Sequence, residues 1–202
     1  MLPARDEGEI GATVGFATEY ALEFQIKKNL NRSVRISPRY LYYLARGGAN
    51  QYAGAVIKDA IDVLSRHGAV AEDVWPYDPK DAGGPPPDVS RAELFKIKAS
   101  RPLNSVDDVK NALRTYGPVV AGISVYASMQ SKEVAKTGIV PMPGKNEQLL
   151  GGHAVCIVGY NDASQLFKFE NMWGSAWGDH GYGYMPYAFF TKYASDVWAI
   201  SM

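Results

Sequence analysis

Two stretches decide the fold: GGHAVCIVGY at residues 151–160 and ENMWGSAWGDHGYGY at residues 170–184. In the first, His153 opens an apolar run directly after two glycines, which give the backbone freedom and allow close approach. In the second, Asn171 can hydrogen-bond one imidazole nitrogen, which fixes the tautomer and leaves the other nitrogen free as a base. The neighbouring Trp173 can keep water away from that bond. The two stretches together predict a histidine–asparagine site on a β-rich framework.

These stretches resemble the C-terminal half of the papain-like cysteine peptidases, the C1 family. The family pattern is a GHAV-type strand with the catalytic histidine, followed by an N-S-W-G-x-x-W-G-x-x-G-Y block with the catalytic asparagine. The resemblance implies that His153 is the base, that Asn171 orients it and that Trp173 shields their bond. Met172 departs from the pattern, because the family usually has serine there.

The resemblance extends over nearly the whole chain. Residues 54–79 resemble the bacterial branch of the family, and residues 36–41 resemble its L-S-P-x-x-L helix start. It implies an α+β, papain-like fold of two lobes, a helical lobe at 1–98 and a β-rich lobe at 99–202, with a cleft between them. A peptide or protein segment would lie extended in that cleft. The residues expected to contact it are Gly11, Gly54, Ala55, Gly152 and Trp173.

Periodicity and breaker residues give the same order of elements without the resemblance. Apolar residues at helical spacing predict helices at 13–30, 38–44, 52–67 and 105–116. Short runs rich in β-branched and aromatic residues predict strands at 119–126, 153–160, 166–172, 183–186 and 197–201. Helices followed by strands indicate an α+β fold, with the site expected in the cleft between the halves.

The active-site segment departs from the family at two positions that matter. The family reads D-Q-G-x-x-G-S-C-x-A-F-A, whereas residues 6–17 read DEGEIGATVGFA. Thr13 therefore occupies the nucleophile position, and its hydroxyl would need deprotonation by His153 because it cannot ionise as a thiol does. Glu7 occupies the position of the oxyanion-hole glutamine. An ionised Glu7 could not donate a hydrogen bond there, and losing one such donor costs about 10²–10³ in rate.

Each of these residues also has a simpler interpretation. Thr13 is expected to be the N-cap of the first helix as well as a candidate nucleophile. Glu7 is either a solvated loop carboxylate or an ion-pair partner of His153, which would favour the imidazolium form. Cys156 lies three residues beyond His153 on a predicted strand, so alternation places it on the opposite face, in the core.

Composition excludes several classes of protein. Twenty-one basic and 21 acidic residues give a net charge of +0, which argues against nucleic-acid binding. The single cysteine allows no intrachain disulfide and no multi-cysteine zinc site, and no metal or cofactor is expected. No run of 18 apolar residues predicts a membrane span, and the absence of a signal-peptide pattern favours the cytoplasm.

Three functions remain open from the sequence. The first is a pseudoenzyme that binds a peptide or protein segment in its cleft, as a binding or regulatory module. The second is a peptidase or acyl-transfer hydrolase in which Thr13 attacks, His153 acts as base and Asn171 orients it. The third is a domain within a larger protein or assembly whose cleft is vestigial.

Overall fold

A computed structural model describes residues 2–48, 54–81 and 87–202 of the chain. The helices are α1 (Thr13–Leu30), α2 (Pro38–Ala45), α3 (Ile57–Arg66), α4 (Val106–Thr115), α5 (Lys132–Thr137) and α6 (Tyr187–Tyr193). The strands are β1 (Ala99–Leu103), β2 (Val119–Tyr126), β3 (Leu149–Asn161), β4 (Leu166–Glu170), β5 (Tyr182–Pro186) and β6 (Ala194–Ser201). A 3₁₀ turn at Ala127–Gln130 follows β2.

One antiparallel sheet organises the strands in the order β1-β6-β2-β3-β4-β5. Successive residues of β3 point to opposite faces, so the sheet separates two apolar clusters. Ala154 and Cys156 pack with α1, α2 and α3 on one side, whereas Val155 and Ile157 pack on the other side with α4 and α6. The α+β, papain-like arrangement expected from the sequence is confirmed, while the division of lobes at residue 98 stays a prediction.

Helix α1 is buried along most of its circumference, which is typical of a helix at the centre of a core. It begins at Thr13, with Ala12 at the N-cap position and no side-chain cap. The prediction that Thr13 caps this helix is therefore wrong, because Thr13 is its first helical residue and its hydroxyl is used elsewhere. The helix ends at Leu30, and the capping residue Asn31 that follows adopts the left-handed conformation with φ of 53°.

Several predicted boundaries are confirmed and others shift. Ser37 caps α2 by accepting the Tyr40 N–H at 3.2 Å, and Ser105 caps α4 by accepting the Asp108 N–H at 3.1 Å. Helix α3 starts five residues later than predicted, because Val56 is still extended at φ −92° and ψ 134°. The predicted residues 52 and 53 lie outside the described part of the chain. Strand β2 matches its predicted range of 119–126.

The C-terminal strands differ from prediction mainly at their ends. Strand β3 begins at Leu149, before the two glycines, because the ladder with β2 continues through Gly151 and Gly152. Strand β4 stops at Glu170, which releases Asn171 and Met172 from the ladder. The sequence patterns missed β1, α5 and α6, which are short elements of five, six and seven residues. Within the described ranges, no helix is both long and apolar enough to cross a membrane.

Candidate active site

A cavity of about 630 Å³ opens where the start of α1 faces strands β2, β3 and β6. Its wall also includes the segment that leads into α3. Six of the residues selected from the sequence line it together: Gly11, Thr13, Gly54, Ala55, Gly152 and His153. Glu7 and Trp173 are both described by the structure, and neither is part of this wall. The predicted cleft therefore brings together most of the residues selected from the sequence.

His153 is held by Asn171 with well-defined geometry. Its Nε2 lies 2.8 Å from Asn171 Oδ1, which also accepts the Met172 backbone N–H at 3.0 Å. Because this oxygen is an acceptor, Nε2 of a neutral imidazole must carry the proton and Nδ1 keeps its lone pair. The Trp173 ring covers the imidazole at a centroid distance of 4.9 Å and an angle of 34°. The arrangement supplies an oriented base.

Burial keeps His153 neutral. The side chain is buried, and this lowers the pKa of His153 to about 4, against a smaller opposing effect from its bond to Asn171. The expectation that Glu7 would favour the imidazolium form is wrong. Glu7 and His153 form no ion pair among the described residues, and Glu7 is not a cause of the shift in the His153 pKa. At neutral pH the imidazole is therefore a free base.

The Thr13 hydroxyl is tethered to the opposite strand. Its Oγ1 accepts the backbone N–H of Ala154 at 3.2 Å, which joins the first turn of α1 to β3. Among the hydrogen bonds of the described residues, none joins Thr13 to His153. The two side chains share the cavity, but the hydroxyl is not positioned by a bond to the base.

Glu7 is neither solvated nor paired with His153, so both interpretations from the sequence are wrong. It is only 4% exposed, and its carboxyl Oε2 has no partner in the described structure. Its backbone is fixed on both sides: the N–H donates to the Met172 carbonyl at 2.9 Å, and the carbonyl accepts the Tyr77 hydroxyl at 2.6 Å.

Burial also sets the protonation state of Glu7. Desolvation raises the pKa of Glu7 to about 8, the nearby Asp6 adds to the rise, and a hydrogen bond with the Trp173 side chain opposes it. Glu7 is therefore mainly a neutral carboxylic acid at pH 7, with one O–H donor. In that form it has the shape of the glutamine that the family pattern carries at this position, with one donor where the amide has two.

Cys156 is the core residue that alternation predicts. It is fully buried on the α1 side of the sheet. Burial raises the pKa of the Cys156 thiol well above its usual range, and the nearby carboxyl groups of Glu170 and Glu23 add to the rise. The only cysteine of the chain is therefore an uncharged thiol that does not reach the cavity.

Two acidic features escaped the sequence analysis. Asp196 lines the cavity because β6 pairs with β2 and brings its first residues to the cleft. Glu170 is fully buried, and neither of its carboxyl oxygens has a hydrogen-bond partner among the described residues. Desolvation, followed by the charge of Glu23, raises its pKa to about 8. No local pattern marks either residue, because both environments come from long-range pairing. The described residues contain no cluster of three metal-ligating side chains.

A side chain at the start of a central helix, facing an oriented histidine–asparagine pair across a cleft between helices and an antiparallel sheet, defines a papain-type site. The chain belongs to the papain family of cysteine proteases, since residues 1–193 match that family.

The similar proteins agree on this fold. The cysteine protease xylellain from Xylella fastidiosa has 31% sequence identity and a TM-score of 0.92, over 100% of this chain and 83% of its own. The uncharacterized peptidase C1-like protein L477 of Acanthamoeba polyphaga mimivirus is 35% identical over 96% of this chain and 68% of its own length. Cathepsin K of Gallus gallus is 28% identical over 90% of this chain. The chain spans only 54% of that cathepsin. Whether it belongs to the bacterial branch stays a prediction.

Proposed function

We propose that this chain is a peptide-binding member of the papain family that has lost cysteine-peptidase activity. The observation that carries the proposal is the identity and bonding of Thr13. It occupies the nucleophile position of the family pattern, and its hydroxyl oxygen is bonded to the Ala154 N–H rather than to His153. The alternative nucleophile, Cys156, is buried away from the cleft.

The replacement of the family's cysteine by Thr13 removes the reactive nucleophile for a physical reason. A cysteine at a helix N-terminus beside a histidine ionises to a thiolate, which is the reactive nucleophile. A threonine hydroxyl must instead be deprotonated as it attacks, so it needs a direct hydrogen bond to the base. Its extra methyl group restricts χ1 and crowds the approach of a carbonyl carbon. Thr13 lacks that bond to His153 among the described contacts.

The walls of the cleft support a role in peptide binding. Gly54 and Gly152 are exposed, and a Cβ added at either would meet no atom of the described residues within 4 Å. Their missing side chains leave N–H and C=O groups open to an incoming extended chain, as in strand addition. The cavity of about 630 Å³ lies in the size range of a ligand site.

A second function, hydrolysis or acyl transfer by Thr13, is favoured by one observation. The neutral His153 with its proton on Nε2 has a free Nδ1 lone pair, which is the state a general base requires. A ligand that moved Thr13 Oγ1 from Ala154 toward His153 would complete a serine-hydrolase-like pair.

Hydrolysis and binding by the purified native chain separate the two functions. We expect no cleavage of an internally quenched peptide library between pH 5 and 8, together with saturable binding of the uncleaved peptides by calorimetry. Thr13→Ala is the matched variant, and it should bind peptides as the native chain does. Cleavage by the native chain that disappears in both Thr13→Ala and His153→Ala would establish the second function and overturn the proposal. Absence of any peptide binding would overturn it as well.

A further inference from the structure

The segment that carries Glu7 is paired with the segment that follows β4. Asp6 and Trp173 form an isolated antiparallel bridge, and beside it the Glu7 N–H donates to the Met172 carbonyl at 2.9 Å. In this register Glu7 lies directly opposite Met172. Opposite residues of an antiparallel pair project their side chains to the same face, with Cβ atoms about 5 Å apart. Met172 is therefore the neighbour of Glu7 across the bridge.

The face that these two residues share is dry. Met172 is fully buried and belongs to the apolar cluster around α1, and Glu7 is almost fully buried as well. One carboxyl oxygen of Glu7 accepts the Trp173 indole N–H, whereas Oε2 has no partner among the described residues. A methionine side chain offers no donor and only a weak acceptor. Met172 therefore excludes water from this face without replacing the hydrogen bonds that water would make.

The charged and titratable groups around Glu7 do not offset this desolvation. Asp6, the adjacent carboxylate, disfavours a second negative charge. The Tyr77 hydroxyl is a donor, but it is bonded to the backbone carbonyl of Glu7 rather than to its carboxyl. Arg5 is bonded to two other carboxylates, and His153 is neutral near pH 7. Within the described ranges Glu7 forms no ion pair, so an ionised carboxylate would remain uncompensated.

The residue type at position 172 matters because serine would create the opposite environment. The family pattern has serine there, and a hydroxyl on this face could donate a hydrogen bond to an ionised carboxylate of Glu7. The smaller side chain would also leave room for water. Both changes favour the charged form of the acid. Two departures from the family pattern, Glu7 and Met172, therefore lie where one sets the environment of the other.

We propose that Met172 is a positioning residue for the proton of Glu7: its apolar side chain closes the shared face of the bridge and keeps Glu7 an uncharged hydrogen-bond donor. Glutamate at position 7 and methionine at position 172 then form one linked pair of substitutions, in which the methionine retains a donor that the glutamate alone would lose. The inference goes beyond the proposed function, since it concerns a proton of the free chain and needs no bound peptide.

Carbon-13 NMR of the chain labelled at its glutamate carboxyl carbons tests this inference, with Glu7→Gln assigning the signal of Glu7. In the native chain the titration midpoint of Glu7 should lie at about pH 8. Met172→Ser should lower this midpoint by about one pH unit or more, which is a rise of about tenfold or more in the acid dissociation constant. Met172→Leu, which keeps an apolar side chain of similar volume, should retain the native midpoint.

A second buried glutamate separates this role from a general loosening of the core. Burial raises the pKa of Glu23 to about 7, and its carboxyl accepts the Ile36 N–H on another part of α1. Its midpoint should stay unchanged in Met172→Ser, and a joint fall of both midpoints would overturn the inference.

Other results would overturn the inference as well. They are a native midpoint of Glu7 near 4.5, a midpoint that Met172→Ser leaves unchanged, and an equal fall in Met172→Leu. If Met172→Ser does not fold, Met172→Ala opens the same face and decides the question by the same titration. Peptide binding is no part of the readout, so failure of this inference leaves the proposed function standing.

Discussion

The strand side and the helix side of the cleft differ in how much of a papain-type site they keep. On the strand side, His153, Asn171 and Trp173 form an oriented, shielded base. On the helix side, Thr13 replaces the nucleophile of the family pattern and Glu7 replaces its oxyanion donor. The backbone that positions these two residues is nevertheless in place, since Glu7 bonds the Met172 carbonyl and Thr13 bonds the Ala154 N–H. The framework of such a site therefore does not require its reactive atom.

The two substitutions on the helix side differ in how much of the family's chemistry each side chain can still perform. Glu7 is buried as a neutral acid and so keeps one hydrogen-bond donor below about pH 8, in place of the two of a glutamine amide. Thr13 has no corresponding state, because a hydroxyl in this setting does not ionise. We infer that the proposed loss of peptidase chemistry resides at Thr13, and that the strand side would still work with a thiol opposite it.

The largest expected effect is therefore a gain of activity in Thr13→Cys alone. At pH 6 we expect this variant to hydrolyse the quenched peptide library on the order of 10³-fold above the uncatalysed background rate, at which the native chain should remain, because a thiolate would meet an oriented base. Initial rates of both proteins, with Thr13→Ser as the control that lacks a thiol, measure the difference. Rates for Thr13→Cys no higher than for Thr13→Ser would show that the strand side is also impaired.

A smaller effect concerns the pH range of that variant. Activity of Thr13→Cys should fall as the pH rises through about 8, because Glu7 then loses its only proton and could no longer donate a hydrogen bond to a developing oxyanion. Adding Glu7→Gln should preserve activity at pH 9, by about tenfold relative to Thr13→Cys alone, with little change at pH 6. Glu9→Gln, at an exposed carboxylate two residues further on, is the matched control. Identical pH profiles with and without Glu7→Gln would contradict a donor role for the acid.

The sequence identified the strand side of the site because its signal is contiguous. His153, Asn171 and Trp173 lie in two short stretches whose residue types and spacing predict their relation. The protonation state of Glu7 could not be predicted in this way, because the residues that contact it, Met172, Trp173 and Tyr77, lie in distant parts of the chain. Burial turned an expected anion into a neutral acid, which is a property of packing rather than of local sequence.

The same reasoning applies to Asp196 and to the ends of the elements. Asp196 reaches the cleft because β6 pairs with β2. The local sequence around position 196 contains no pattern that predicts this long-range pairing. Helix α4 and strand β2 were predicted closely, because a capping serine and a compact apolar run mark them locally. The start of α3 was predicted five residues too early, because Val56 has an extended backbone and the helix begins only at the next residue.

The smallest expected effect is on stability. Burial raises the pKa of Glu7 and Glu170 to about 8 and that of Glu23 to about 7, above the value of about 4.5 for an exposed glutamate. The folded state then holds protons that the unfolded chain has released, so stability falls as pH rises through this range. His153 acts in the opposite direction only below about pH 6.5, because its folded pKa is lowered.

We therefore expect the melting temperature to fall by on the order of 10 °C between pH 6.5 and 8.5. Thermal unfolding followed by circular dichroism measures it, and Glu170→Gln should flatten the slope because its amide cannot ionise. A melting temperature that stays level or rises over this interval would contradict the burial of these groups as neutral acids.

The central claim is that an intact base faces a missing nucleophile, and alkylation by iodoacetamide at pH 5.5 tests it most directly. In Thr13→Cys, mass spectrometry should locate rapid modification at residue 13, because the base and the helix N-terminus favour the thiolate at a pH where a free cysteine is almost wholly protonated. The native chain, whose only cysteine is the buried Cys156, should stay unmodified under the same conditions. Modification of residue 13 no faster than that of free cysteine, or ready modification of Cys156 in the folded native chain, would contradict the account.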